Sequence, residues 1–154
     1  MAKVQINIMK TKLTFLLALT FLFLFSGSVY GEELEVEKRY WDNGNLMVER
    51  SHYGNEGLKT WWYRTGEKES ETHYKNGEIE GLATWWYKNG RKKYSQRYKN
   101  GKLEGMKTEW YESGKKKSTS HYKNGIENGF RKEWNEDGKL TFQGNFVDGV
   151  EEIK

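Results

Sequence analysis

Three histidines are the residues of this chain whose type could support metal binding or acid–base catalysis. His52, His73 and His121 each stand directly before a tyrosine, and Arg97 and Asn145 occupy the same position further along. Positions that recur in this way on neighbouring hairpins of a β-sheet lie about 10 Å apart. One metal ion cannot bridge that separation, because its bonds to histidine nitrogen are about 2 Å long. We therefore expect no metal site and no cofactor at these histidines.

The other reactive residue types do not form a catalytic pattern. The chain has no cysteine nucleophile, and it contains no Gly-x-Ser-x-Gly or phosphate-binding loop. The carboxylates of Glu78, Glu80 and Glu104 stand among turn residues, where we interpret them as solvated charges. We expect a protein without catalytic residues that is not an enzyme.

A repeat of 24 residues must position any functional side chain. It is marked by Tyr74, Tyr98, Tyr122 and Phe146, by Gly57, Gly81, Gly105 and Gly129, and by Trp62, Trp86, Trp110 and Trp134. A fixed period in this range is typical of one supersecondary unit stacked on copies of itself. The mature chain is predicted to be one domain, residues 32–154. Its units are 53–73, 74–97, 98–121 and 122–145, with partial units at 40–52 and 146–154.

Turn signals predict that each unit is a β-hairpin. Asn-Gly or Asp-Gly pairs separate segments rich in aromatic residues, Thr and Ser, which favour strands. We predict an all-β fold, an elongated single-layer antiparallel meander of hairpins. A two-residue type I′ turn at Asn89-Gly90 would pair Trp85 with Tyr94 and Tyr87 with Lys92. Leu82, Thr84 and Trp86 would then lie on the opposite face, unless a bulge at Gly81 shifts the register by one residue.

Some repeat positions are constant and others change along the array. The four repeat tryptophans and the four glycines named above are interpreted as structural, as is the apolar position of Leu58, Leu82, Met106 and Phe130. The position before each tryptophan changes from Trp61 and Trp85 to Glu109 and Glu133, and the position after it changes from tyrosine to Asn135. Because the fold does not require one residue type there, the large side chains indicate binding. The predicted partner-binding residues are Trp61, Tyr63, Trp85, Tyr87 and Tyr111.

The pattern Tyr-x-Asn-Gly-x-x-x-Gly-x-x-x-x-Trp-Tyr-x-x-Gly occurs at 74–90 and 98–114, and at 122–138 with Asn135 in place of the second tyrosine. It resembles the MORN repeat, in the bacterial variant found in YwqK-type antitoxins. This resemblance implies a twisted sheet of β-hairpins that binds proteins, and in some members an antitoxin that neutralises a partner toxin. Eukaryotic MORN proteins are associated with membranes and scaffolding.

The first 31 residues have the composition of a secretory signal peptide. Lys10 and Lys12 precede an uncharged run from Leu13 to Phe25, which small residues follow up to Gly31. A membrane-spanning helix needs about 20 apolar residues, and this run is shorter. We therefore predict cleavage after Gly31 and export to the periplasm, the cell surface or the medium. A secretion signal is not expected for a cytosolic antitoxin, but it agrees with an immunity-type protein that acts in the periplasm.

The charge of the mature chain argues against nucleic-acid binding. The whole chain has a formal net charge of +4, but the first 31 residues carry three lysines and no acidic residue. Their removal leaves +1, with both signs mixed along every unit. Nucleic acids and anionic membranes select clustered positive charge. We expect no nucleic-acid partner, and membrane contact only through the signal peptide before cleavage.

Three kinds of binding function remain open. The first is a monomeric protein-binding module, the antitoxin or immunity member of a toxin–antitoxin pair. The second is an exported cell-surface or cell-wall protein, because rows of Trp and Tyr can stack on sugars. The third is a membrane-surface scaffold that attaches through lysines in the turns.

Overall fold

The computed structural model describes residues 34–153, which form one open antiparallel sheet of twelve strands. The strands are β1 (Glu35–Tyr40), β2 (Leu46–Tyr53), β3 (Glu56–Trp62), β4 (Lys68–Lys75), β5 (Glu78–Trp86), β6 (Lys92–Lys99), β7 (Lys102–Trp110), β8 (Lys116–Lys123), β9 (Ile126–Glu127), β10 (Gly129–Trp134), β11 (Leu140–Val147) and β12 (Val150–Glu151). Each strand from β1 to β8 pairs with the next, β8 pairs with both β9 and β10, and β11 and β12 complete the sheet. The predicted all-β meander is confirmed. The predicted signal peptide and its cleavage site lie outside the described residues, and residues 34–153 contain no helix with the length and hydropathy of a membrane span.

The turns at one end of the strands are the predicted type I′ turns. At Asn100 and Gly101 both residues have positive φ, 49° and 70°. Asn and Gly tolerate this conformation best, which is why the dipeptide marks such hairpins. The other turns of this kind are at 76–77, 124–125 and 148–149.

The turns at the opposite end of the strands are of a different kind, although two of them also contain Asn-Gly. At 89–90 only Gly90 has positive φ. The Gly90 N–H donates to the Tyr87 carbonyl, and the Tyr87 N–H donates to the Arg91 carbonyl, so the loop has three residues. A bulge then places Lys92 opposite Trp86. The predicted pairing of Tyr87 with Lys92 is therefore wrong, because this loop is one residue longer than a type I′ turn.

The register assigns each side chain to one of two faces. We call the face of Trp61 and Trp85 the front face, and the face of Trp62 and Trp86 the back face. On the front face Trp61 lies opposite Ser70, and Ser70 lies opposite Trp85. Trp85 also lies opposite Tyr94, as predicted.

The bulge at Gly81 does not exchange the two faces. β4 and β5 pair Thr72 with Ala83 but Tyr74 with Ile79, so β5 carries two extra residues between these pairs. A shift of one residue would invert every side chain beyond it, whereas a shift of two keeps each on its face. The same shift recurs between β6 and β7. The predicted face assignment is therefore correct.

The shortened first unit differs from the others by one residue in register. The turn at Gly54-Asn55 pairs Tyr53 with Glu56 and His52 with Gly57. In the next unit the residues that flank the turn are Lys75 and Glu78, and Tyr74 lies one step further from the turn, opposite Ile79. His52 therefore occupies the front-face position of the repeat tyrosine, and Tyr53 lies on the back face with 56% of its surface exposed.

The buried side chains are small. Ala83 is fully buried, and Ser70, Thr72 and Gln96 are buried near it on the front face. Among residues 34–153, the buried apolar side chains are those of Val48 and Ala83. A single-layer sheet has no second layer to cover large side chains, so cross-strand pairs between partly exposed rings stabilise it.

Candidate partner-binding face

The back face carries the repeat tryptophans that were predicted to be structural. Lysine ammonium groups from the preceding unit lie over their rings, at 5.5 Å for Lys68 on Trp86 and 5.9 Å for Lys92 on Trp110. Lys116 lies over the next ring in the same way, at 5.6 Å. Cations at this distance from an indole ring attract it. These tryptophans therefore join successive units of the sheet.

The repeat glycines also have a role in the backbone of the sheet. Gly57, Gly81, Gly105 and Gly129 each lie opposite a large aromatic residue of the next long strand. At Gly81, Gly105 and Gly129 the backbone φ is positive, 82°, 89° and 117°, so a side chain there would be strained. At Gly57 a side chain would come within 3.0 Å of the Ser51 carbonyl oxygen.

The tyrosines that follow the tryptophans hold neighbouring units together. The Tyr63 hydroxyl donates to the Trp86 carbonyl at 2.7 Å, and the Tyr87 hydroxyl donates to the Trp110 carbonyl at 2.8 Å. Tyr111 donates to the Trp134 carbonyl in the same way. At the start of the array the Trp41 indole N–H donates to the Trp62 carbonyl, so the series begins with a different residue type.

This series gives the three predicted tyrosines a contact within the sheet. Tyr63, Tyr87 and Tyr111 were assigned to a partner because Asn135 occupies the last equivalent position. Each of the three hydroxyl groups donates to a tryptophan carbonyl of the following unit. Burial, and then nearby carboxylates, raise the pKa of Tyr63 and Tyr87 above the usual value. Their hydroxyl groups are therefore structural donors.

The two variable tryptophans lie on the front face in the first two full units. Trp85 stacks on Tyr94, with ring centroids 4.5 Å apart and planes inclined by 24°. The Lys59 ammonium lies 4.7 Å from the centre of the Trp61 ring. Both tryptophans are partly exposed. The structure thus places Trp61 and Trp85 on one face, with Ser70 between them.

In the later units an ion pair replaces the ring. The Lys107 ammonium lies 2.6 Å from the Glu109 carboxylate, and Arg131 forms an ion pair with Glu133. Burial lowers the pKa of Lys107, but the hydrogen bond and charge of Glu109 outweigh it, and the pKa lies above its usual value. Position 109 therefore accepts glutamate because a cation stands two residues before it.

The same comparison shows what the first units lack. Lys59 stands two residues before Trp61 and could form an ion pair with a carboxylate at position 61. The residue two positions before Trp85 is the fully buried Ala83, which offers no charge. The sequence prediction treated the change from Trp to Glu as free of cost. The ion pair that stabilises the glutamate becomes visible only when positions 107 and 109 are compared together with positions 83 and 85.

Two carboxylates that were interpreted as solvated have defined partners. The Asn100 N–H donates to Glu80 and the Asn124 N–H donates to Glu104, each at 2.8 Å. Each glutamate thereby holds the turn of the following unit. A fixed interval of 20 residues between acid and turn is the sequence signal that could have revealed this contact.

The apolar position of Leu58 and its equivalents is not a buried structural row. Leu82, Met106 and Phe130 are exposed to 47%, 52% and 61%. They lie on the back face opposite Arg97, His121 and Asn145. Their interpretation as structural residues is therefore wrong for these three side chains.

The histidines do not share one face. His73 and His121 lie on the back face, opposite Leu58 and Met106. His52 lies on the front face because of the register of the first unit, with its Nε2 atom 3.5 Å from Glu35.

Comparison with known families agrees with this repeat architecture. The model of the MORN repeat variant matches residues 36–55, 55–76, 79–100, 103–124 and 127–148. The chain therefore belongs to the MORN repeat variant family, and this membership indicates a repeat-based binding module. A search of the curated proteins finds no match.

Two solved structures are similar to part of the chain. One is a mutant of S. aureus TarM in complex with fondaparinux, α-GlcNAc-glycerol and UDP, with 8% identity over 60% of this chain and 19% of that chain, and a TM-score of 0.42. The other is TarM, with 8% identity over 58% of this chain and 19% of that chain, and a TM-score of 0.41. The chain spans about a fifth of the length of these proteins.

Proposed function

We propose that this MORN repeat protein is the antitoxin or immunity member of a toxin–antitoxin pair, and that it holds its protein partner on the front face of the sheet. The contact would be made by Trp61, Trp85 and Tyr94. Tryptophan and tyrosine are enriched among the residues that dominate protein–protein binding energy. A repeat sheet offers an extended surface rather than an enclosed pocket, which also suits a protein partner.

One observation carries this proposal. The front face changes along the array from partly exposed rings at Trp61 and Trp85 to ion pairs at Glu109 and Glu133. The sheet continues without interruption through both halves. The sheet therefore accepts either a large ring or an ion pair at this repeat position. Partner binding gives a reason for the rings in the first half.

We also propose that the partner acts outside the cytoplasm. The composition of residues 1–31 supports export, and an immunity protein of the periplasm would meet a toxin there. The YwqK-type resemblance of the repeats supports the antitoxin role.

Co-expression tests the proposal. The product of the neighbouring open reading frame would be expressed in the periplasm of a host cell, with and without this chain. The chain should restore growth, and the double variant A83K/W85E should fail to do so. That variant copies the Lys107–Glu109 pair and so removes the ring while retaining a solution that the sheet already uses.

The matched control is K107Q/E109Q, which changes the equivalent positions of the next unit and should protect as well as the parent chain. A neighbouring product that does not slow growth, or equal protection by A83K/W85E, would contradict the proposal.

A further inference from the structure

Three cations converge beside Trp61 at the start of the front face. A depression of about 70 Å³ is lined by Glu37, Arg39, Val48, Arg50, Lys59 and Trp61. Arg50 lies directly opposite Lys59, and Arg39 lies opposite Val48, the neighbour of Trp61 on β2. We call Arg39, Arg50 and Lys59 the cationic corner.

The cationic corner brings three cations together with a single acidic residue. Among the ion pairs within residues 34–153, none is made by Arg39, Arg50 or Lys59. Glu37 faces Arg50 across β1 and β2 and is the one acidic residue in the depression. Like charges placed directly opposite each other on neighbouring strands destabilise a sheet. Burial, and then the charges of Arg50 and Arg39, lower the pKa of Lys59.

The other units of the same sheet show what is missing. Lys107 and Ala83 occupy the position of Lys59, and their cross-strand neighbours are uncharged, namely Thr72, Gln96 and Ser120. Lys107 also has the Glu109 carboxylate at 2.6 Å. In the first unit the neighbour is a second cation, and a tryptophan stands where the carboxylate would be.

We propose that the cationic corner binds a carboxylate group from an acidic segment of the protein partner. An incoming carboxylate would enter the depression beside Trp61 and supply the negative charge that Glu109 supplies to Lys107, and the two guanidinium groups can donate hydrogen bonds to it. Trp61 would cover the aliphatic part of the acidic side chain. This inference rests on the proposed function for the location of the partner on the front face.

A peptide of six glutamates serves as the probe, with a peptide of six glutamines and inorganic phosphate as comparisons at equal ionic strength. At about ten times its Kd, the glutamate peptide should raise the Tm of the full mature chain by about 5 °C. The glutamine peptide should leave Tm unchanged. A rise with phosphate but not with the glutamate peptide would overturn the assignment to a carboxylate.

The variant Arg50→Gln separates binding from structure. It removes the opposed like charges, so the free chain should keep or increase its Tm while losing more than half of the rise caused by the peptide. K107Q/E109Q should retain the full rise, because its pair lies elsewhere on the face. A lower Tm for free Arg50→Gln together with an undiminished rise would show that the cations serve the fold.

The result is separable from that of the proposed function. A83K/W85E leaves the cationic corner intact, so it should bind the glutamate peptide as the parent chain does. If that variant still protects cells, the proposed contact at Trp85 is wrong while the peptide measurement stands on its own.

Discussion

At position 61 and its equivalents the front face holds either an indole ring or a carboxylate. The residue two positions earlier decides whether the carboxylate is stable: Lys107 and Arg131 each form an ion pair with the glutamate that follows. In the second full unit Ala83 offers no such charge, and the ring of Trp85 instead stacks on Tyr94.

Replacing Trp85 with glutamate should therefore destabilise the chain by about 1–3 kcal/mol, the usual range for losing a packed side chain that is partly exposed. The double variant A83K/W85E should recover part of that loss, and Trp61→Glu should be milder because Lys59 can pair with it. Urea unfolding followed by tryptophan fluorescence measures these differences. Equal losses for W85E and A83K/W85E would show that the cation is not the deciding factor.

The tyrosine hydroxyls contribute one hydrogen bond per unit. Tyr87→Phe should cost about 1 kcal/mol, because the Trp110 carbonyl loses its donor while the ring remains in place. Tyr53→Phe is the matched control, since 56% of Tyr53 is exposed. Thermal unfolding of the two variants compares them directly, and an equal effect at both positions would remove the case for a structural hydroxyl.

The same hydroxyls predict a loss of stability in alkali. The pKa values of Tyr63 and Tyr87 are raised in the folded chain, so their stabilising contribution is complete below the unfolded value of about 10. As the pH rises above that value towards the folded pKa, the unfolded state ionises first and stability falls. The double variant Y63F/Y87F should lose less stability between about pH 9 and pH 11 than the parent chain. Parallel pH profiles would contradict this assignment.

At the scale of the strands and turns, most of the architecture could be predicted because the turns recur with the aromatic residues. The two kinds of turn could not be separated, since Asn-Gly occurs in both and only the loop length differs. The hydrogen bonds of the tyrosine hydroxyl groups could not be predicted from the sequence either, because the acceptor is a backbone carbonyl 23 residues away. The sequence showed that the residue type at position 61 and its equivalents changes along the array. The dependence of this residue type on the residue two positions earlier could be recognised only from the structure.

Glycine substitutions at two asparagines distinguish the two kinds of turn. Asn100→Gly should cost little, because φ is 49° there and glycine adopts that conformation without strain. Asn89→Gly should cost about 1 kcal/mol, because its side chain accepts from the Arg91 N–H and donates to the Glu112 carbonyl. Thermal denaturation measures both. The reverse order of stability would show that the two loops have been assigned to the wrong class.

For the whole molecule, one sheet presents two unlike surfaces. On the back face, tryptophans and lysines connect the units. The front face carries the cationic corner and the partly exposed rings at one end, and ion pairs at the other. A partner that binds the first half would therefore contact rings that the second half replaces with ion pairs.

Calorimetric titration of the purified product of the neighbouring open reading frame into this chain tests that claim most directly. The parent chain and K107Q/E109Q should bind with the same Kd, and A83K/W85E should bind at least about tenfold more weakly, as expected for loss of a dominant interface residue. Circular dichroism of each variant would establish that the sheet is intact. A folded A83K/W85E that binds as tightly as the parent chain would contradict the assignment of the front-face rings to partner binding.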